Sequence, residues 1–429
     1  MKILLIYPNI SKSLQEPMGL SYISAVLKRD GHEVFLWDYT FDKIDDLETL
    51  IIKNNFNYVC ITALSSEFSF AVKLAELIKS LRGVPIIIGG PHVTFMPHEA
   101  ILKDCFDVAV IGEGEDAIVE YVKSESRYIA GTWVKDYNTI YMNKNNSPSD
   151  ITKLPWPDHA MFKRHLKRNV TWSGREENYG TFMTARGCPF KCAYCYAKGM
   201  QDLYKGYTYT RYREIEDVIA EIKYSVEKFN LKSLYFIDET LTTNKQRILQ
   251  LCELYKEEIG LPWHCETRPN TVDEEVLQAM KDAGCEVVMM GLEASSNRVR
   301  NDIYNRNLSK EQIVTAFKLA KKVGLKTSSF NIAGGPTETK EEIRETIQLN
   351  KECEADIGKM TLFSVFPGSE LWNYCKSNGY YIRDNYPTNY YTDSNLHHDT
   401  LSIKQLMELR KEFVDSLDGY TGSKIEGEY

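Results

Sequence analysis

Residues 185–196 read Ala185-Arg-Gly-Cys-Pro-Phe-Lys-Cys-Ala-Tyr-Cys-Tyr196, which sets Cys188, Cys192 and Cys195 in C-x3-C-x2-C spacing. Three thiolates so placed can each hold one iron of a [4Fe-4S] cube and leave the fourth iron open to a small molecule. An electron-transfer ferredoxin normally supplies a fourth cysteine, so a triad that stops at three points to catalysis. A structural zinc site needs four ligands, and the next Cys and His in the chain are only Cys252 and His264. Buried packing cysteines are the other alternative, unusual for three thiols around one tight loop. Spacing favours the cluster and leaves both alternatives standing.

On either side of this loop, short apolar runs alternate with amphipathic segments. Before it, Lys2–Tyr7, Glu33–Trp37, Tyr58–Thr62, Pro85–Gly89 and Asp107–Ile111 read as buried strands, with helices at Ser21–Arg29, Ser69–Leu81 and Glu115–Lys123. Such alternation predicts an α/β domain, a parallel sheet with helices on both faces. Ligands of such sheets sit at the carboxyl ends of the strands. Those ends carry Leu64, Ser65 and Ser66, then Gly89-Gly-Pro-His92, then Gly112-Glu-Gly-Glu115. Taken alone, these glycines read equally as turns and helix starts. After the loop, strands are predicted at Leu234–Ile237, Glu286–Met290 and Thr327–Ile332. Helices are predicted at Glu214–Lys228, Lys245–Glu258, Asp273–Ala283, Lys310–Val323, Lys340–Asn350 and Ser402–Leu417.

Beyond the thiol spacing, the chain resembles the radical S-adenosylmethionine (SAM) enzymes. Their signature is C-x3-C-x-aromatic-C, with Tyr194 in the aromatic position. Phe236-Ile-Asp-Glu-Thr240, Trp263-His-Cys-Glu-Thr-Arg268, Gly291-Leu-Glu-Ala-Ser295, Ile332-Ala-Gly-Gly-Pro-Thr-Glu338 and Pro367-Gly-Ser-Glu-Leu371 follow in the family's order. The resemblance implies an incomplete, TIM-like β/α barrel with its chemistry at the carboxyl ends of the strands. It further implies that Cys188, Cys192 and Cys195 hold the cluster. SAM contacts are implied for Tyr194, Asp238, Glu239, Arg268, Glu293, Ser295, Gly334 and Gly335, with Glu266 at a similar strand end.

Pro17-Met-Gly-Leu-Ser-Tyr22, Gly31-His-Glu-Val34, Gly89-Gly-Pro-His-Val-Thr94 and Gly112-Glu-Gly-Glu115 together resemble the N-terminal domain of cobalamin-dependent members of that family. That domain is Rossmann-like and binds vitamin B12. The resemblance implies cobalamin contacts at Leu64, Ser65, Ser66, Gly89, Gly90, His92, Gly112, Glu113 and Gly114. The D-x-H-x-x-G loop that ligates cobalt is missing. Asp30-Gly-His-Glu-Val-Phe35 lacks the final glycine and leads into the wrong strand, so His32 reads as a surface turn residue. Cobalamin is therefore expected to bind without a histidine ligand. The loop at Leu64–Ser66 is expected beneath the corrin, and His92 is expected to order its turn.

The expected organisation is a B12-type domain over residues 1–140 and a linker over 141–175. A radical SAM partial barrel follows over 176–378, with a mainly helical capping segment over 379–429. The linker holds the stiff Pro155-Trp-Pro157 and a basic run, Lys163–Arg168, read as a solvated face. The tyrosine-rich stretch Tyr380–Tyr391 is expected to cover the barrel, touching substrate or simply packing.

At 429 residues the chain is too long for one ordinary core. With 43% hydrophobic and 26% charged residues it reads as soluble and globular. The net charge of −8 argues against a nucleic-acid partner, and no run approaches a membrane span. Ten cysteines without regular pairing imply a reducing cytoplasm. The resemblance implies a radical SAM enzyme with a flavodoxin- or ferredoxin-type electron donor. It implies cobalamin-dependent methylation of an unactivated carbon, the alternatives being a B12-independent cyclisation or rearrangement and a non-enzymatic metal-binding protein.

Overall fold

A computed structural model describes residues 1–170, 175–380, 382–383, 385–398 and 400–417. The chain forms two compact units. The first comprises Met1–His165 with Gly199–Thr208, and the second Leu166–Lys198 with the chain from Tyr209 on.

The first unit is built on a seven-stranded sheet. Its strands are β1 (Lys2–Tyr7), β2 (Glu33–Asp38), β3 (Tyr58–Thr62), β4 (Ile86–Gly89), β5 (Val108–Val110), β6 (Thr132–Asp136) and β7 (Thr139–Met142). The spatial order is β2-β1-β3-β4-β5-β6-β7, with β1 to β5 parallel. Strand β1 shows why its run is apolar without a break. Leu4 and Ile6 enter one core, Ile3 and Leu5 the other, so both faces are covered. Helix Phe68–Leu81 supplies Leu74 and Ile78 to the first core, and helix Met18–Arg29 supplies Val26 and Leu27 to the second. The order reverses at β1, because β2 lies on one side of it and β3 on the other. That switch point is where open α/β sheets leave a crevice at the strand ends.

Two features depart from the expected pattern. Strands β6 and β7 pair antiparallel at the sheet edge, joined by a tight turn with Tyr137 at φ +48°. Without a glycine there, the hairpin carries no sequence signal. Helix Ile44–Lys53 buries only Leu47 and Ile51, too sparse a stripe to read from periodicity.

The stretch read as a linker packs back onto the first unit as far as His165. Asp158 accepts from Ser24 Oγ and Lys28 Nζ, each at 2.6 Å, and buried His159 meets buried Glu16 at 2.9 Å. Within the basic run, Arg164 pairs with Asp42, but His165 is buried, its Nε2 2.6 Å from Asp38 Oδ2. The solvated-face expectation therefore fails at His165, because Asp38 offers a buried carboxylate at the end of β2. The Arg168 side chain lies outside the described residues.

The second unit carries β8 (Lys167–Val170), β9 (Arg175–Phe182), β10 (Ala185–Arg186), β11 (Arg211–Tyr212), β12 (Ser233–Phe236), β13 (Trp263–Thr267), β14 (Cys285–Glu293), β15 (Lys326–Ala333) and β16 (Ile357–Leu362). Its main sheet runs β16-β15-β14-β13-β12-β9-β8. Strands β9 and β12 to β16 are all parallel, and β8 pairs antiparallel with β9. Each parallel crossover is spanned by a helix, as in a β/α barrel left open. Period-two alternation divides the faces. Leu234, Phe236, Trp263, Cys265, Val288 and Met290 pack under the helices in one large core. Tyr235, His264, Glu266 and Met289 take the opposite parity.

Helix Ile403–Ser416 closes the far edge, starting from a capping box between Ser402 and Gln405. Leu406, Leu409 and Phe413 join Met360 and Leu362 of β16 in a separate core. Gly358 makes this approach possible, since a Cβ there would lie 2.6 Å from the Phe413 ring. In the tyrosine-rich stretch, Tyr390 O accepts from Leu362 N at 2.7 Å, and Tyr386 stacks on Phe366 at 5.8 Å. Tyr381, Asp384 and residues 418–429 lie outside the described residues. Replacing Phe413 by Ala is expected to cost about 3–5 kcal/mol in urea-induced unfolding; an unmoved midpoint would show that the helix does not belong to the fold's cooperative core.

Candidate functional site

Cys188, Cys192 and Cys195 lie on the loop that follows β10, just beyond the carboxyl end of β9. Neighbouring strand ends hold this loop through polar bonds, those of Asp238 buried and that of the exposed Glu239 partly so. Asp238, just past β12, accepts from Thr184 N at 3.0 Å and Thr184 Oγ1 at 2.7 Å. Glu239 accepts from Gly187 N at 2.9 Å, and the Thr240 hydroxyl stands 3.7 Å from Cys188 Sγ. Gly187 has φ +91°, and a Cβ there would meet Tyr209 O at 2.5 Å, so the loop tolerates only glycine. Burial raises the Asp238 carboxyl above its ordinary range. Glu239 is pushed up to about 7, by burial first and then by the charge of Asp238.

All ten cysteines are free thiols. Burial raises Cys188, and pushes Cys195 up to about 12. Donors nevertheless face the sulfurs. Arg268, just past β13, points Nη1 at Cys192 Sγ from 3.2 Å, and Ala197 N points at Cys195 Sγ from 3.5 Å. Hydrogen bonds of this kind to ligand sulfur tune an iron-sulfur cluster. Among the described residues, no three His, Cys, Asp or Glu side chains converge on a single metal ion. A cube asks for no such convergence, because each thiolate takes its own iron. The donor set therefore fits a cluster.

A second layer is organised by Arg306, a residue that the motif reading missed. Its Nη1 donates to Glu293 Oε1 at 2.8 Å and to Tyr194 OH at 2.7 Å, while Nη2 donates to Gly291 O at 2.6 Å. The Tyr194 hydroxyl in turn reaches Glu293 at 3.2 Å. Arg268 donates to the Arg306 carbonyl and lies over the Phe190 ring at 4.1 Å. Glu293 sits at φ +66° behind a bulge at Gly291 in β14, which turns its carboxylate toward Arg306. Burial raises the Glu293 carboxyl, and the Arg306 charge opposes that rise. The only sequence cue was a lone arginine in Asn305-Arg-Asn307, with no motif around it.

Other predicted contacts are bound up in the fold. Gly334 N and Gly335 N donate to Glu338 Oε2 at 2.7 and 2.9 Å, and burial pushes that carboxyl up to about 8. A Cβ at Gly335 would meet Tyr304 OH at 2.4 Å. Ser295 N donates to Thr346 Oγ1 at 2.9 Å. The glycines thus close a turn against Glu338, at the carboxyl end of β15.

In the first unit the loops after β3, β4 and β5 lock together. Ala63 N donates to Gly89 O at 3.0 Å, and His92 N to Ala63 O at 3.1 Å. Gly112 N donates to Thr94 Oγ1, which donates to Gly90 O, both at 3.0 Å. Gly90 has φ +101°, and its Cβ would fall 2.8–2.9 Å from Thr62 and Ala63. His92 is buried against the Phe68 ring, its Nδ1 3.1 Å from Ser65 Oγ and its Nε2 3.6 Å from Glu99. Leu64 is exposed, with Ser65 and Ser66 half-buried beside it. Glu67 donates N–H to Leu64 O and receives Leu64 N–H on its carboxylate, while burial pushes that carboxyl up to about 7. His32 is held at its turn by Asp30 at 3.2 Å. The strand ends thus offer an apolar tip and two hydroxyls, a surface that fits a corrin face without an axial histidine.

Gly112-Glu-Gly114 has a further occupant. Glu113 N donates to Tyr204 OH at 2.6 Å, and a Cβ on Gly112 would meet that hydroxyl at 2.4 Å. Glu113 Oε2 accepts from Ser149 N at 2.9 Å. Tyr204 was not foreseen, since it lies far along the chain in Gly199–Thr208.

Residues 182–349 match the radical SAM superfamily, and residues 11–122 match the B12 binding domain. An uncharacterized methyltransferase of Pyrococcus horikoshii is 30% identical over 405 residues, spanning 90% of this chain and 85% of that one. The anaerobic magnesium-protoporphyrin IX monomethyl ester cyclase of Rubrivivax gelatinosus is 25% identical, spanning 87% and 69%. In fold, the chain is similar to the radical SAM methyltransferase TsrM of Kitasatospora setae, at TM-score 0.71 and 18% identity over 89% of this chain and 79% of that one. It is also similar to the cobalamin-dependent radical enzyme OxsB, at TM-score 0.68 and 16% identity over 88% and 55%. Strand ends, thiol loop and locked glycine turns thus fall where both family matches fall, and the chain belongs to the radical SAM enzymes that carry an N-terminal B12-binding domain.

Proposed function

We propose that Cys188, Cys192 and Cys195 hold a [4Fe-4S] cluster, that SAM binds at its open iron, and that the enzyme methylates an unactivated carbon with cobalamin held by the first unit. The observation that carries this reading is the three-thiol loop with Arg268 and Thr240 turned toward its sulfurs. When bound, the cluster with SAM would supply an adenosyl radical that abstracts a hydrogen atom from carbon, and cobalamin would supply a transferable methyl group. The protein's own work is to bind, orient and exclude water. Glu239 and Glu293 offer carboxylates to the SAM ammonium, and Arg268 offers a cation to its carboxylate. Arg306 keeps Glu293 and Tyr194 fixed while that happens. Leu64, Ser65 and Ser66 form the surface beneath the corrin, ordered by His92 and Glu67.

Methylation is supported by the names of several relatives, among them a bacteriochlorophyllide d C-8(2)-methyltransferase of Chlorobaculum tepidum, 25% identical over 378 residues. The Rubrivivax cyclase favours a second reading, a ring-forming reaction on the same scaffold. An electron must reach the cluster from outside, and a flavodoxin- or ferredoxin-type donor suits that need. Ten free cysteines suit a reducing cytoplasm. No helix among the described residues is long and apolar enough to cross a membrane.

Metal analysis after anaerobic reconstitution tests the reading. About four irons and one cobalt per chain are expected, with product methylation tracked from labelled SAM; iron without cobalt would favour the cyclase-like reading. Cys192→Ala is expected to lose the cluster and all deoxyadenosine formation, and normal deoxyadenosine from that variant would refute the cluster assignment. Ser65→Trp is expected to lower cobalt content at unchanged iron, so equal cobalt would remove Leu64–Ser66 from the corrin site. Arg306→Gln leaves Glu293 buried without its cation, a change expected to cost about 3–5 kcal/mol of stability, read by denaturant unfolding.

A further inference from the structure

The face of the barrel sheet turned away from its helices carries a charged pair that the cofactor reading leaves unused. Trp263, Cys265, Met360 and Leu362 point to the helices and are fully buried. Among residues of opposite parity, Tyr235, Glu266, Phe330 and Lys359 all stay half-buried. Val287, Met289, Ser328 and His264 of the same face are buried, so protein packing closes part of that face and leaves the four half-buried residues partly open.

Lys359 lies in the middle of β16, in register with Phe330 of β15. Its Nζ stands 5.6 Å from the centroid of the Phe330 ring, and among the described residues it has no ion pair and no side-chain hydrogen bond. Burial pulls the ammonium below the ordinary lysine range, while the charge of Glu266 opposes that shift. Glu266 is the complementary case. Burial raises its carboxyl; the Tyr235 hydroxyl, which donates to it, and the charge of Lys359 both pull it down. Tyr235 is itself fixed by face-to-face stacking on His264, centroids 4.4 Å apart and planes 10° from parallel. The sheet therefore sets a carboxylate on β13 and an ammonium on β16, each sensing the other's charge without contact.

A partly desolvated ammonium without a counterion is costly, and its usual resolution is a salt bridge. Here Glu266 lies on β13, with two strands between, so an anion bound from the open side would supply the complementary charge. Resting on the radical SAM reading of this barrel, we propose that Lys359 anchors an anionic group of the substrate, a carboxylate or a phosphorus oxyanion, with Glu266 orienting it from across the sheet. An ammonium is a compact point charge without the fork geometry of arginine, so it takes either anion. Phe330 and Tyr235 supply apolar and aromatic wall beside it, the usual composition of a small-molecule site.

Thermal unfolding of the full chain tests this with three probes: acetate, methylphosphonate and inorganic phosphate, each at constant ionic strength against chloride. Phosphate stabilises many proteins by exclusion from their surface, so the reading is the difference between wild type and Lys359→Met. In chloride, Lys359→Met is expected to unfold at a higher temperature than wild type, because the unpaired, partly desolvated charge is gone; a lower temperature would overturn the premise. The anion-induced rise is expected in wild type and Lys359→Arg and lost in Lys359→Met. A rise with acetate alone assigns a carboxylate substrate, and a rise with the two phosphorus anions alone assigns a phosphate or phosphonate. Equal rises in wild type and Lys359→Met, or none in wild type, would overturn the anchor. Iron counted on the same wild-type preparation separates the two readings. A cluster-loaded protein without the anion response refutes the anchor alone, and a protein that takes up no iron refutes the cluster.

Discussion

Parallel pairing governs this molecule, because a strand that must lie parallel to its neighbour cannot turn straight into it and has to cross over through a helix. Every crossover leaves a loop at the same edge of the sheet. In the second unit that edge collects the thiol loop after β9, Asp238 and Glu239 after β12, Arg268 after β13, Glu293 at the end of β14 and Gly334 after β15. In the first unit it collects Leu64, Gly90 and Gly112 in the same manner. Residues more than a hundred positions apart become neighbours because one hydrogen-bonding geometry repeats.

Once gathered there, the charged residues are held by desolvation balanced against partners. Asp238, Glu239, Glu293 and Glu338 are all buried enough to raise their carboxyls, and each accepts hydrogen bonds from backbone or side-chain donors. Removing both donors of Asp238, Glu293 or Glu338 would leave a buried acceptor unsatisfied, which costs more than the bonds themselves contribute. The thiol loop is rigid for that reason, with its backbone tied to Asp238 and Glu239 and its Tyr194 to Arg306. A rigid loop suits thiols that must each meet one corner of a cube.

The glycines divide by what crowds them. Gly90 and Gly112 have positive φ and also face other groups at under 3 Å, Thr62 and Ala63 in one case and Tyr204 in the other. Gly334 and Gly335 give their amides to Glu338 and leave no room beside Leu406 and Tyr304. Such positions read alike in a sequence, as Gly-Gly or Gly-x-Gly, although a turn, a packing contact and a ligand cradle ask for glycine for different reasons.

The sequence by itself determined the parts that local chemistry encodes. Continuous apolar runs such as Lys2–Tyr7 disclosed strands covered on both faces, amphipathic stretches disclosed the crossover helices, and C-x3-C-x2-C disclosed the thiol loop. Strands β9, β13 and β16 have no range in the apolar pattern, because Tyr179, His264, Glu266 and Lys359 interrupt it where they face away from the helices; only the family resemblance puts a strand end near Glu266. Tertiary structure alone decided which distant side chains meet, Arg306 with Glu293 and Tyr194 and Tyr204 with Glu113, and put Lys359 on the same sheet face as Glu266. The physical reason is the range of the forces involved. Strand and helix formation is written in neighbouring residues, whereas the partner of a buried charge is fixed by sheet order and register, and these exist only once the chain has folded.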